Sequence, residues 1–139
     1  MVLDGAMGTM IQRYGLAEED FRGTAFAAHA VKLEGDNDVL NITRPDVIAA
    51  IHREYLEAGA DIITTCTFNA QAISQAEYKM QSEVRTMNRA AVALARAEAD
   101  RMTSLTPDKP RFVAGSVGPT GKTASMSPDV DNPASRAVD

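Results

Sequence analysis

Glu57-Ala58-Gly59-Ala60-Asp61-Ile62-Ile63-Thr64-Thr65-Cys66-Thr67-Phe68-Asn69-Ala70 is the stretch on which the fold turns. An amphipathic pattern runs into Ala58-Gly59, and Gly59 is placed to take the left-handed conformation that stops helices. Ile62-Ile63-Thr64-Thr65 is apolar and β-branched, and reads as a buried strand. Small polar residues and Phe68 close that strand before a new helical pattern begins. Helix, glycine, strand, polar exit and helix make one unit of a parallel sheet. Such sheets bind ligands beyond the carboxyl ends of their strands, so Thr65, Cys66, Thr67 and Phe68 lie where chemistry is expected.

Upstream of this unit, Val47, Ile48, Ile51, Tyr55 and Leu56 fall on one helical face, with Pro45 suited to the first turn. Val39-Leu40-Asn41-Ile42-Thr43 reads as a strand, and Val2-Leu3-Asp4-Gly5 as an earlier one. Residues 6–14 have helical spacing, with Gly15 as their stop. Residues 16–38 read as a long irregular connection with a helical turn near Glu18-Phe21, a length that usually signals function or capping. Downstream, residues 69–103 read as a short helix and a long one, the latter buried through Met80, Val84, Met87, Ala91, Leu94 and Ala95. Residues 106–110 break it, 111–118 form a fourth strand, and 119–139 read as loop. The predicted order is β-α-β-α-β-α-β. That pattern fits either a small doubly wound sheet or the first half of an eightfold α/β barrel. The chain opens on a strand already in progress and stops in a loop after a strand, so the amino terminus reads as cut and the domain as incomplete.

Composition narrows the functional classes. The 139 residues are 45% hydrophobic and 24% charged, as in an ordinary globular domain. A net charge of −5 with no basic block argues against nucleic acid and anionic membrane as partners. No apolar run approaches the roughly 20 residues of a membrane span, and no secretory leader is visible. The single cysteine excludes an internal disulfide and a cysteine-rich metal cage within this sequence, and suits a reducing cytoplasm.

Three motifs carry possible chemistry. In Asp4-Gly5-Ala6-Met7-Gly8-Thr9, an acid at a strand end precedes glycines that let a ligand approach the backbone. This suits a cation such as a substrate ammonium, or equally an acid that caps the next helix. Gly118-Pro119-Thr120-Gly121-Lys122-Thr123 ends like a phosphate-binding loop, but Ser116 stands where that motif has its first glycine and Pro128 follows too soon for a helix. It is read as no nucleotide site. Cys66 is either a nucleophile or ligand at a strand exit or a small buried hydrophobe, and with only His29 and His52 in the sequence the plainer reading is preferred.

Together, Val2-Leu3-Asp4-Gly5-Ala6-Met7-Gly8-Thr9, Asp20-Phe21-Arg22-Gly23, Ala58-Gly59-Ala60-Asp61-Ile62-Ile63 and Thr67-Phe68-Asn69 resemble the homocysteine-binding domain of cobalamin-dependent methionine synthases. Val113-Ala114-Gly115, Gly118-Pro119-Thr120 and Thr123-Ala124-Ser125-Met126-Ser127-Pro128-Asp129-Val130 resemble it too, and point to the cobalamin enzymes rather than to betaine- or S-methylmethionine-dependent relatives. The resemblance implies that residues 1–139 are a partial homocysteine-binding domain, the first half of a (βα)8 TIM barrel truncated after its fourth strand. It places Asp4 at the homocysteine amino group, with Gly5, Thr65 and Cys66 at the amino-acid moiety. The family usually has Glu where Thr64 stands and Asn where Cys66 stands.

The chemistry implied is methyl transfer from methylcobalamin, recharged by 5-methyltetrahydrofolate, to the sulfur of homocysteine. A free thiol with a pKa of roughly 8.5 is mostly protonated at neutral pH, and zinc coordination would deprotonate it. The family's zinc ligands are three cysteines on later strands, and none is present in this sequence, which therefore supplies no catalytic residue and no metal ligand of its own. The implied partners are homocysteine, the remaining half barrel, and the folate, cobalamin and reactivation domains of a longer chain. Alternatives are another zinc-dependent homocysteine S-methyltransferase, or a non-catalytic α/β module that binds a small ligand.

Overall fold

The computed structural model describes residues 1–122 together with 129, 131, 132, 134 and 135. Thr123, the last residue of the phosphate-loop-like motif, most of the block at 123–130 and much of the expected loop at 119–139 lie outside the described residues.

Helix α1 (Met7–Gln12) follows the first extended segment, and Gly15 beyond it takes φ +57°, as its helix-stopping place in the sequence demands. The long connection holds α2 (Glu18–Arg22); the N–H of Ala17, just before it, donates to the Asp20 carboxylate, and Gly23 ends the helix at φ +52°. Two further anchors give this connection its shape. Both Glu18 carboxylate oxygens accept from the Leu33 amide at 3.0 Å, and the Arg22 guanidinium donates to the carbonyls of His29 and Val31.

A short 3-10 turn (Asn37–Val39) leads directly into α3 (Leu40–Thr43), where the sequence predicts a strand. This corrects the expectation of four strands. Five apolar residues cannot show a helical period, and here the local bonds decide. The Asn41 side-chain amide donates back to the Asp38 carbonyl at 2.8 Å, the Arg44 amide donates to the Leu40 carbonyl at 2.9 Å, and among the described residues no neighbouring strand offers a ladder. The chain breaks at Arg44, and Pro45 then opens α4 (Pro45–Glu57) at its first position, as expected.

Helix α4 buries Val47, Ile48, Ile51, His52 and Leu56, and Gly59 reverses the chain at φ +109° into β1 (Ile62–Thr64). The short α5 (Ala72–Gln75) and a second 3-10 turn (Gln81–Glu83) lead to α6 (Val84–Leu105), which buries Met87, Ala91, Ala95 and Ala99. Then comes β2 (Phe112–Ala114), parallel to β1 with Ile62 beside Phe112, Ile63 beside Val113 and Thr64 beside Ala114. On the other side of β1, Leu3 makes a parallel bridge to Ile62. Three strand positions thus stand side by side in sequence order, each reached through helices, and the fold is α/β.

Among the described residues, helices cover one face of this sheet. Ile63 points into the core formed with Leu56, Ala60, Ala95, Ala99 and Met102, while a larger core gathers α1, α3, α4 and the start of α6. On the opposite face the row Leu3–Ile62–Phe112 lacks cover: Leu3 is 56% and Phe112 45% exposed. Glu98 of α6 fastens the outer layer by accepting from Arg53 of α4 at 2.7 Å and from Arg101 at 2.8 Å. No described helix is long and apolar enough to cross a membrane.

Candidate functional site

The strand carboxyl ends converge on a cavity of about 410 Å³, walled by residues 5–8, 37–38, 64–69 and Ser116. Gly5, Thr65 and Cys66 therefore meet in one place, as their positions at strand exits predict. Asp4 stands just behind them. Its Oδ2 accepts from the Thr64 backbone amide at 2.7 Å and its Oδ1 from the Thr64 hydroxyl at 3.0 Å, which fastens the first strand exit to the second. Burial raises the Asp4 carboxyl above its ordinary value, and the two bonds from Thr64 hold back part of that rise. Asp4 does not cap α1, which has no side-chain cap.

Thr65 and Thr67 are locked into the frame. Their hydroxyls lie 2.6 Å apart, Thr65 Oγ1 accepts from the Ser116 amide at 3.0 Å, and Thr67 Oγ1 donates to the Ser116 carbonyl at 2.7 Å. Together they clamp the exit of β1 to the exit of β2. Close by, the Gly118 amide donates to the Phe68 carbonyl at 2.9 Å, an approach so tight that a Cβ on Gly118 would lie 2.4 Å from that oxygen. The Thr65 amide donates to the Ala114 carbonyl at 3.0 Å and its carbonyl accepts from the Thr67 amide at 2.9 Å, so what remains of Thr65 for a ligand is its methyl and one carbonyl lone pair.

Cys66 is 5% exposed, and its thiol is directed at the Asn37 carbonyl, 3.5 Å away. Burial pushes the thiol well above its ordinary pKa, and the nearby Asp38 and Asp36 add to the effect. A nucleophile or metal ligand needs the thiolate, so Cys66 is built as a buried hydrophobe. Among the described residues no group of three His, Cys, Asp or Glu side chains could hold a metal ion.

The sequence reading missed Asp38. It supplies the cavity's carboxyl group, 2% exposed, with its Oδ1 accepting from the Asn69 amide at 3.2 Å. Burial and the neighbouring Asp36 charge lift it to about 7. Asn41, from α3, donates to the Cys66 carbonyl at 2.7 Å, so residues 36–41 grip the loop at both ends. The signal in the sequence was Asp36-Asn37-Asp38, an acidic cluster at the end of an unusually long connection.

Comparisons with known proteins give the family and the fold. The sequence model of the family described as homocysteine S-methyltransferase matches residues 1–138. The fold is similar to crystal structures of the homocysteine methyltransferase MmuM from Escherichia coli. For the oxidised form the TM-score is 0.65 at 25% identity, with 86% of this chain covered. For the metallated form it is 0.64 at 26% identity, with 87% covered. The matches span 37% and 38% of those chains, so this chain covers little more than a third of their length.

Proposed function

The chain belongs to the homocysteine S-methyltransferase family, and from that premise we propose that its cavity receives the amino-acid end of homocysteine within a longer methyltransferase. The observation that carries the reading is the meeting of Gly5, Thr65 and Cys66 at the carboxyl ends of parallel strands, with the Asp4 carboxylate immediately behind. A carboxylate has about four lone-pair sites, and Thr64 occupies only part of them. Asp4 is left able to accept from the substrate ammonium while Thr64 keeps it aimed. The glycine at position 5 makes room for Tyr55, whose hydroxyl a Cβ there would meet at 2.9 Å. Fixing the ammonium on Asp4 orients the sulfur, a positioning effect on the reaction.

In this reading the strands are the opening arc of a (βα)8 barrel, three strand positions rather than four. The uncovered row Leu3–Ile62–Phe112 supports it, since in a closed barrel that row faces the packed interior. Zinc does not fit the residues present. A site for it needs soft ligands, and the described residues offer only a buried, reluctant thiol. The metal, and the methyl donor methylcobalamin with the 5-methyltetrahydrofolate that recharges it, thus belong to later parts of a longer cytoplasmic methionine synthase. No step of the chemistry is assigned to this chain beyond binding and orienting the substrate.

A second reading, another homocysteine S-methyltransferase in place of a cobalamin-dependent methionine synthase, is favoured by the likeness to the homocysteine methyltransferase structures. The longer enzyme tests both. Asp4→Ala is expected to raise the KM for homocysteine about tenfold or more, since a charge-assisted bond is worth roughly 1.5–3 kcal/mol. An unchanged KM removes Asp4 from the substrate site, and turnover with S-methylmethionine but not methylcobalamin selects the second reading.

A further inference from the structure

Tyr55 belongs to α4 and packs against both cores, yet its hydroxyl reaches the first strand exit, where it donates to the Ala6 carbonyl at 3.2 Å. Among the described residues the other donor to that carbonyl is the Met10 amide, 3.4 Å away, and α1 has no side-chain cap. The ring also fits closely around position 5. A Cβ on Gly5 would lie 2.9 Å from the Tyr55 hydroxyl oxygen and 3.2 and 3.3 Å from two ring carbons. Gly5 does not take a positive φ, so its backbone alone does not call for glycine. The Tyr55 side chain does. The first strand exit is thus held from two sides: Thr64 fixes the Asp4 carboxylate, and Tyr55 bears on the two residues that follow. Gly5 and Ala6 line the cavity, and Tyr55 stands outside its lining.

We propose that Tyr55 is a positioning residue of the site: from outside the cavity, its hydroxyl and ring fix the Asp4-Gly5-Ala6 turn that forms one wall. The hydroxyl can play this part because it stays a donor. Burial first, and then the Asp4 charge, raise the phenol above its ordinary value, so it keeps its proton at neutral pH. Its effect on a ligand passes through the turn. When the hydroxyl is lost, the Ala6 carbonyl keeps the long bond from Met10, and the wall can shift relative to Asp4, which Thr64 holds in place. Such a shift weakens the positioning of whatever Asp4 binds. The anchoring of the turn stands by itself, and only its consequence for homocysteine rests on the function proposed above.

Tyr55→Phe keeps the ring and removes the hydroxyl. The Asp4 amide, bonded to the Ile62 carbonyl, and the Met10 amide, bonded to the Ala6 carbonyl, lie on either side of the turn and report on it. In the whole chain their hydrogen exchange should quicken about three- to tenfold in Tyr55→Phe, the effect of one lost hydrogen bond, while α6 amides keep their rates. Gly5→Ala gives the converse test. At one protein concentration it should lower the melting temperature of the wild type by about 3 °C or more, and that of Tyr55→Phe by less than half as much, since the atom it meets first is gone. Unchanged exchange of both amides in Tyr55→Phe, or an equal loss from Gly5→Ala in the two backgrounds, overturns the anchor. In the longer enzyme Tyr55→Phe should raise the KM for homocysteine about three- to tenfold and change kcat by less than about twofold. A KM that ignores Tyr55→Phe but responds to Asp4→Ala overturns the positioning role. A KM that ignores both, with the turn loosened, sustains the anchor and removes homocysteine from this cavity.

Discussion

Asp4 and Thr64 hold each other twice across two strand exits, amide to Oδ2 at 2.7 Å and hydroxyl to Oδ1 at 3.0 Å. The pairing leaves the carboxylate half-buried with its direction fixed. Thr64→Val removes the hydroxyl bond and keeps the amide bond. In the longer enzyme this substitution is expected to raise the homocysteine KM about three- to tenfold, with kcat much less affected, the effect of losing one modest hydrogen bond of about 0.5–1.5 kcal/mol. Steady-state kinetics at saturating methyl donor measures it. A fall in kcat with KM unchanged would place Thr64 in the chemistry instead of in aiming Asp4.

His52 supplies a pH prediction for the fold itself. It is fully buried on α4, neither ring nitrogen has a partner among the described residues, and burial lowers its pKa to about 4 although the Glu98 charge pulls the other way. The unfolded chain then binds the proton more readily than the folded one, so stability is lost as the pH falls from about 6.5 to about 4. The loss amounts to about 3 kcal/mol at most. Urea unfolding between pH 4 and pH 7 should show this slope in the wild type and a much flatter one in His52→Leu. His52→Leu should also be no less stable than the wild type at pH 7, because no hydrogen bond is broken.

Gly118→Ala tests the close approach of the two strand exits. The new Cβ would meet the Phe68 carbonyl at 2.4 Å and the Phe68 ring at 2.7 Å, so backbone must move. The expected destabilisation is about 1–3 kcal/mol, the range for a forced overpacking. It should come with a weaker clamp between Thr65, Thr67 and Ser116, seen as faster exchange of the Ser116 amide. Wild-type melting and exchange would show that the loop after β2 adjusts freely.

The uncovered sheet face predicts the behaviour of the chain alone. Leu3 and Phe112 stand exposed on either side of Ile62, and the described residues leave the outer edge of β2 without a partner strand. Such a surface invites association. Sedimentation at micromolar concentration should find oligomers, and Leu3→Asp with Phe112→Lys should shift them toward monomer. A monodisperse wild-type monomer with a cooperative melt would argue that the row needs no cover.

The parts of the fold legible in the sequence are those with a period or a stop signal. Helix α4 shows both a 3.6-residue apolar stripe and Pro45 at its start, and Gly59 marks its end with a conformation that glycine adopts readily. Residues 39–43 have neither, and their helical form depends on Asn41 and Arg44 bonding backward and on the absence of a partner strand. The site divides the same way. Gly5, Thr65 and Cys66 could be placed because strand exits can be located from the pattern alone. That Thr65 Oγ1 serves Ser116, 51 residues away, and that Asp38 holds Asn69 are tertiary facts with no local trace.

The opening strand is fastened to residues made much later. The Val2 amide donates to the Asp61 carboxylate, 59 positions on, and the Leu3 bridge waits for Ile62. At the roughly 5–20 residues per second of protein synthesis, that separation amounts to roughly 3–12 s between making the first residues and making their partner. Closing so long a loop is also entropically slow. Val2 and Leu3 therefore stay an unpaired apolar segment until Asp61 and Ile62 have been made, and become ordered only with them.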